Sequence, residues 1–348
     1  PEEIFTLTEG LMAELFKEIM GLEIEIPFPR LTYQQAMEDY GSDAPDIRFE
    51  LKLEDISDIA SECELRVFNE VVKKGGIVKA ICVPGGAEFS RKELDDLTEF
   101  SKIYGAKGMA WIKSNQDGWQ SPIGKFFTDA QKKTLEERVG LNQGDLVLFC
   151  ADKEKIVYDT LGNLRKEIAR RRGLVDQNEF RFVWVTDFPL FEYSDEEKSY
   201  TSSHHPFTMP DLDDLEKYGD DAPEKIRSRA YDVVLNGVEL GGGSIRIHRK
   251  DIQQKVFSLL NLSKQDMESK FGFLMEALTY GAPPHGGIAL GFDRIMMFLL
   301  KTDSIRDVIA FPKTQKAGCL MTDAPSAVDT EQLDDLHIRV KASAQQAE

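Results

Sequence analysis

Residues 229–248 read RAYDVVLNGVELGGGSIRIH, two apolar runs on either side of Asn236-Gly237. Asn-Gly in that setting is a strong hairpin signal, because both residues accept the positive φ of a type I′ turn. The spacing predicts antiparallel strands over Tyr231–Leu235 and Val238–Gly242. A two-residue turn pairs Leu235 with Val238, Val234 with Glu239 and Asp232 with Gly241. Asp232 and Glu239 then share one sheet face as diagonal neighbours, about 7–8 Å apart at the backbone. Two carboxylates there, beside glycines that let a ligand approach the backbone, suit Mg²⁺ bound jointly with nucleotide phosphates. A solvated face on which two acids happen to align is the plainer alternative.

Seven residues separate Glu239 from Arg246, so strict alternation sends Arg246 to the opposite face. A β-bulge within Gly241–Gly243 would reset the parity and turn Arg246 into the same pocket. Its guanidinium could then hold a carboxylate in two parallel hydrogen bonds; otherwise it is a surface arginine.

Two further stretches carry chemistry. HGGIALGFDRIMMFLL (285–300) reads as a strand over Ile288–Leu290, a break at Gly291 and a helix with Arg294 in its first turn. Free N–H groups and the positive dipole end there, with Arg294, can meet a triphosphate, although a packing turn explains the same pattern. SSHHPFTMP (202–210) reads as a loop between a strand ending near Tyr193 and a helix at about 211–218. His204 and His205 could hydrogen-bond a carboxylate or phosphate, and neither has the i+4 partner that zinc would need.

The rest of the chain bounds these readings. Its 348 residues carry 43 basic and 61 acidic side chains, a net charge of −18, with 41% hydrophobic and 30% charged residues. That composition describes a globular chain with room for two domains. The longest apolar runs, such as Ile295–Leu300, are far below the ~18–20 residues of a membrane span. The acidity disfavours indiscriminate nucleic-acid binding without excluding a specific contact. Cys63, Cys82, Cys150 and Cys319 form no CxxC pair, which suits a reduced, cytoplasmic setting. Pro1 opens the chain with neither Met nor a signal peptide, so a piece of a longer protein is expected.

Along the chain, Ile4, Leu7, Leu11, Leu15 and Ile19 predict an amphipathic helix over 2–20, and Thr32 and Gly41 bracket a short helix at 33–39. From about 64 to 161, β-rich runs (Ile77–Val83, Gly108–Lys113, Leu146–Ala151) alternate with helices. Two of these open with capping boxes at Ser90 and Thr128, which predicts a compact α+β insert. LRKEIARRRG (164–173) puts five basic residues in eight positions. Complementing a helix C-terminus explains them better than a tRNA- or phosphate-binding face. FRFVWV (180–185) and PLFEY (189–193) read as strands, and KASAQQAE (341–348) as a frayed terminus.

VWVTDFPLFEY, SSHHPFTMP, RAYDVVLNGVELGGGSIRIH and PPHGGIALGFDRIMMFLL, in this order, resemble the bacterial-type aspartyl-tRNA synthetases, class II ligases. GIALGFDR is similar to the third class II motif. The insert at 64–161 resembles the domain shared with the B subunit of the tRNA-dependent amidotransferase. PFPRLTYQQAMEDYGSDAPD (27–46) resembles the segment after the second motif. The resemblance implies an α+β fold: a class II antiparallel sheet with helices on one side, in core parts 1–63 and 162–348 around the insert.

It also implies that Arg246 binds the side-chain carboxylate of L-aspartate, with His204 and His205 beside it. Asp232 and Glu239 would hold Mg²⁺ with ATP, and Gly291, Phe292, Asp293 and Arg294 would form the nucleotide wall. Glu239 and Arg294 would be the catalytic pair. The implied partners are L-aspartate, ATP and tRNA(Asp) in a homodimer. The first two class II motifs and the anticodon-binding domain have no counterpart here, so the chain is expected to be the C-terminal part of such an enzyme. A non-catalytic fragment that binds RNA or protein, and a sister ligase for asparagine or lysine, stay open. The GGGSIR run and the insert disfavour the sister ligase.

Overall fold

In a computed structural model the protein is described over residues 1–194 and 198–341; most of the expected frayed terminus lies outside the described residues. The elements up to Leu290 run α1 (Glu2–Met20), β1 (Arg30–Thr32), α2 (Tyr33–Tyr40), β2 (Leu53–Asp55), α3 (Ser57–Glu62), α4 (Arg66–Lys73), β3 (Ile77–Val83), α5 (Arg91–Ile103), β4 (Ala110–Asn115) and β5 (Gly118–Gln120). They continue α6 (Asp129–Val139), β6 (Leu146–Asp152), α7 (Glu154–Arg172), β7 (Phe182–Thr186), β8 (Phe191–Ser194), β9 (Ser199–Ser202), α8 (Leu212–Tyr218), β10 (Ala230–Leu235), β11 (Val238–Ile245), α9 (Lys250–Leu259), α10 (Lys264–Ala277) and β12 (Gly286–Leu290). A separate compact unit begins at Gly291 and contains α11 (Phe292–Leu299) and α12 (Thr330–Asp335).

The central sheet has the order β1-β7-β10-β11-β12, antiparallel except for the parallel pair β1–β7. Its two faces follow from alternation along β7 and β10. Trp184 and Tyr231 point to α1, where Phe5 meets them with ring centroids 4.4 and 5.1 Å away. Val183, Val185 and Val234 point the other way and pack with Ala36 of α2. Helices therefore cover both faces, not one side as expected. The aromatic strand fills one face with rings that need a helix, while its valines need another.

The first helix has the expected span, with Glu2 and Glu3 in its first turn, Lys17 in its last and Gly21 in the left-handed conformation. Its buried stripe is different. Phe5, Met12 and Phe16 enter the core, whereas Leu7, Leu11 and Ile19 are exposed. Glu9 is buried with them and accepts hydrogen bonds from the Trp184 indole (2.9 Å) and the Phe28 amide (3.2 Å). A polar residue thus occupies the middle of the core-facing stripe, and that hides it from a periodicity count.

The second sheet, β2-β3-β6-β4-β5, is antiparallel throughout and sandwiched between helices. Ile81, Val83, Leu146 and Leu148 pack on Leu94 and Leu97 of α5 and on Val157, Leu161 and Leu164 of α7. Val78, Ala80, Val147 and Phe149 pack on α3, α4 and α6 through Ile59, Phe68 and Leu135. Ser90 and Thr128 close the capping boxes that the sequence specified. This body takes in Phe49, Leu51 and Leu53 ahead of position 64, and α7 carries it past 161 to Ile168 and Ala169.

Of the five basic residues in 164–173, Arg165 is buried and donates to the carbonyls of Asp46 (2.8 Å), Phe49 (2.6 Å), Glu50 (2.9 Å) and Leu51 (3.2 Å). Arg170 and Arg171 pair with Glu167 near the helix C-terminus. That face joins pieces of the fold and complements the helix dipole.

Candidate active site

Asn236 and Gly237 have φ of 52° and 82°, as a type I′ turn requires. Leu235 pairs with Val238 and Val234 with Glu239, but Val233 then pairs with Gly241, so Asp232 faces Gly242 where Gly241 was expected. The extra residue is Leu240, one position ahead of the glycine run. Leu240 is fully buried, so the core absorbs the bulge. The glycines cannot: β12 pairs with all three, and a Cβ on Gly241 or Gly243 would strike the backbone of Ala289 or Gly287.

The bulge resets the parity of the strand. Beyond the bulge, Gly242, Ser244 and Arg246 fall on the face of Asp232 and Glu239. Together with Asp43, His204, His205 and Thr208 they line a pocket of about 410 Å³. Asp232 and Glu239 converge over Gly242: a Cβ on that glycine would collide with Asp232 Oδ1 and lie 3.6 Å from Glu239 Oε1. Burial, then Glu239 and Asp43, push the Asp232 carboxyl up to about 7. Two converging carboxylates, one of them on a residue only 7% exposed, are a donor set that a hard divalent cation fits. Among the described residues no group of three or more His, Cys, Asp or Glu side chains is arranged to hold a metal, so other ligands would come from water or substrate.

Arg246 follows the end of β11, where its amide donates to the His285 carbonyl at 2.9 Å and its backbone bridges to Thr208. The histidine loop is fastened along this strand by Met209 N–H to Ile245 O (2.8 Å) and Ile247 N–H to Phe207 O (2.9 Å). Gln253, wholly buried, donates to the Pro206 carbonyl at 2.8 Å. The His205 Nδ1 accepts from the Phe207 amide at 3.2 Å, so a neutral ring carries its proton on Nε2. Desolvation lowers the pKa of both histidines. For His204, beside the edge-on Phe188 ring, Glu239, Glu192 and Asp43 oppose that shift; for His205, Arg246 adds to it. Both rings thus favour the neutral form near pH 7.

The loop is shorter than the sequence suggested, because β9 pairs with β8 and claims Ser202. Sequence reasoning also missed Asp43, Thr208 and Ser244. Asp43 lies almost two hundred residues from Asp232, and no local pattern links them. Thr208 and Ser244, hydroxyl to hydroxyl at 3.4 Å, are small polar residues whose role appears only when the loop meets the strand. Gly291, Phe292, Asp293 and Arg294 form the start of the other unit as strand, break and helix imply: Gly291 caps α11, Phe292 is exposed and Arg294 is half-buried in its first turn.

A mostly antiparallel sheet with paired carboxylates on a glycine-lined strand, an arginine on the same face and a strand-Gly-Arg helix downstream define a class. The family model described as tRNA synthetases class II (D, K and N) matches residues 1–315, and the chain belongs to that family. Its relatives include the aspartate–tRNA(Asp/Asn) ligases of Desulfosudis oleivorans, 56% identical over 98% of this chain and 57% of the relative, and of Desulfatibacillum aliphaticivorans, 55% identical over 98% and 57%. The aspartate–tRNA ligase of Macrococcus caseolyticus is 50% identical over 97% of this chain and 57% of its own length. The chain thus spans 57% of the length of these curated relatives.

Proposed function

We propose that the protein acts as an aspartate–tRNA ligase, joining L-aspartate to ATP as aspartyl-adenylate and passing the aspartyl group to the 3′ end of tRNA(Asp). The observation that carries this is the bulge at Leu240, which puts Arg246 on the face of Asp232 and Glu239 within one pocket. The names of the relatives agree with it. Arg246 would grip the side-chain carboxylate, and neutral His204 and His205 would donate or accept hydrogen bonds beside it. Asp232 and Glu239 would hold Mg²⁺, which when bound neutralises charge on the ATP phosphates. Gly291, Phe292, Asp293 and Arg294 would receive the nucleotide, with Arg294 supplying positive charge. Attack of the substrate's α-carboxylate on the α-phosphorus releases pyrophosphate, and positioning with charge neutralisation supplies most of the rate.

The same reading extends to a cytoplasmic homodimer and to an insertion domain of the amidotransferase B type. The shared core of Phe49–Leu53 and α7 supports insert boundaries near 49 and 172. A sister ligase for asparagine is disfavoured by Arg246, whose guanidinium has no carboxylate partner among the described residues and would lack one with an amide substrate. Amino-acid-dependent exchange of labelled pyrophosphate into ATP, run on the gene product, tests the proposal. Exchange that requires L-aspartate supports it; exchange with L-asparagine alone, or with no amino acid, overturns it.

A further inference from the structure

The turn that carries His205 is gripped at one peptide unit from both sides. Thr208 N–H donates to the His205 carbonyl at 3.0 Å, which closes a turn over Pro206 and Phe207. Pro206 suits the first central position because its φ is preset. The peptide between Pro206 and Phe207 is planar and trans, so its C=O and N–H point in opposite directions. The C=O accepts from Gln253 Nε2 at 2.8 Å, and the N–H donates to His205 Nδ1 at 3.2 Å. Gln253, one peptide plane and the His205 ring thus form a relay from α9 to the wall of the pocket.

Phe257 lies one turn after Gln253 on the same face of α9, and the Phe207 ring meets it edge-on at 5.9 Å and meets Phe271 of α10 at 5.3 Å. The side chain that follows the gripped peptide is therefore seated as well, with the His205 ring 4.7 Å from it. Gln253 itself is wholly buried, and its Oε1 has no hydrogen-bond partner among the described residues. A buried amide with one end unsatisfied is penalised, and a hydrocarbon of the same shape would suit the interior better. Packing alone does not call for glutamine there. Orienting the peptide does.

We propose that Gln253 is a positioning residue for the amino-acid substrate that acts through His205, fixing the Pro206–Phe207 peptide so that the imidazole keeps its proton on Nε2 and its ring beside Arg246; this rests on the function proposed above. Without that grip the half-buried Pro206 carbonyl can turn to water, and the peptide then takes its N–H away from Nδ1.

Gln253→Met keeps the volume and removes the donor. In the gene product its melting temperature should stay within a few degrees of the wild type or rise. Its KM for L-aspartate in pyrophosphate exchange should rise about tenfold while the KM for ATP does not move. In a His205→Ala background the same substitution should change nothing further, because the relay has lost its last member. An aspartate KM unaltered by Gln253→Met, an equal rise in both KM values, or an effect that persists without His205 overturns the assignment. Should Gln253→Met fail to fold, Gln253→Asn, which withdraws the same amide by one methylene, takes its place in the cycle.

The ring gives a second readout. Nitrogen-15 spectra of histidine-labelled protein at about pH 8, with the His205 signals assigned by their loss in His205→Ala, should show an unprotonated Nδ1 in the wild type. In Gln253→Met that signal should move towards the protonated position as the two tautomers average. Identical ring signals in both proteins overturn the relay. If wild-type exchange does not require L-aspartate, the function proposed above fails, and Gln253 is then judged by the ring signals alone.

Discussion

Gly242 lies directly beneath the Asp232 carboxylate, so close that a Cβ on the glycine would overlap Oδ1 and sit 3.6 Å from Glu239 Oε1. The obstacle is the far end of a side chain, so Gly242→Ala should fold with a melting temperature within a few degrees of the wild type, a shift worth about 1 kcal/mol or less. The methyl group should push the two carboxylates apart and cost on the order of 10²-fold in aspartate-dependent pyrophosphate exchange. Unaltered exchange would show that their convergence does not matter.

Folding raises the Asp232 pKa from about 4 to about 7, through burial first and then Glu239 and Asp43. The folded state thus prefers the protonated form. Its stabilising contribution is complete below pH 4 and is lost as pH rises to 7. Asp232→Asn, always neutral, should equal the wild type in stability near pH 4 and exceed it by roughly 2–4 kcal/mol at pH 8 without metal. Added Mg²⁺ should stabilise the wild type at pH 8 and narrow that gap. Urea titrations at the two pH values check this, and a gap independent of pH would reject it.

Arg246→Leu should raise the KM for L-aspartate by at least ~10²-fold and erode rejection of L-asparagine, with ATP binding little changed. Aspartate and asparagine are nearly equal in size, so charge must separate them. A desolvated guanidinium left without its carboxylate is penalised by about 2–5 kcal/mol. Unaltered aspartate kinetics in the variant would remove Arg246 from substrate choice.

Arg165 donates to four carbonyls between Asp46 and Leu51 and lies over the rings of Phe49 (3.9 Å) and Tyr40 (4.8 Å). Arg165→Met should cost about 3–5 kcal/mol in urea unfolding, because buried acceptors lose their donor. Cutting out residues 64–161 should cost more. It removes β3 and β6 from Leu53 of β2 and exposes Leu161, Leu164 and Ile168 of α7, so the remainder should unfold without cooperativity. A cooperative transition in the deleted chain would show that the second sheet is dispensable.

The elements whose signal is local were legible in the sequence. The turn at Asn236-Gly237, the caps at Thr32, Ser90 and Thr128, and the Gly21 and Gly41 helix ends each depend on a few neighbouring residues. The carboxylate pair, Arg246 and the histidine loop could be named for the same reason. Their chemistry is written in side chains, and their spacing is fixed by strand period.

Long-range packing decided the rest. Which stripe of the first helix is buried depends on Trp184 and Tyr231 in distant strands, so Phe5 and Met12 went in while Leu7 and Leu11 stayed out. The bulge chose Leu240 over the glycines because the core had room for a leucine and β12 had none for a looser Gly241–Gly243. Asp43 reached the pocket only because Gly41, Gly162 and Arg165 fasten its segment to α7. Local propensity and period act over a handful of residues, and the sequence by itself carries them. A contact between residues far apart in the chain is set by shape and burial once both partners are folded, and only the tertiary structure supplies that.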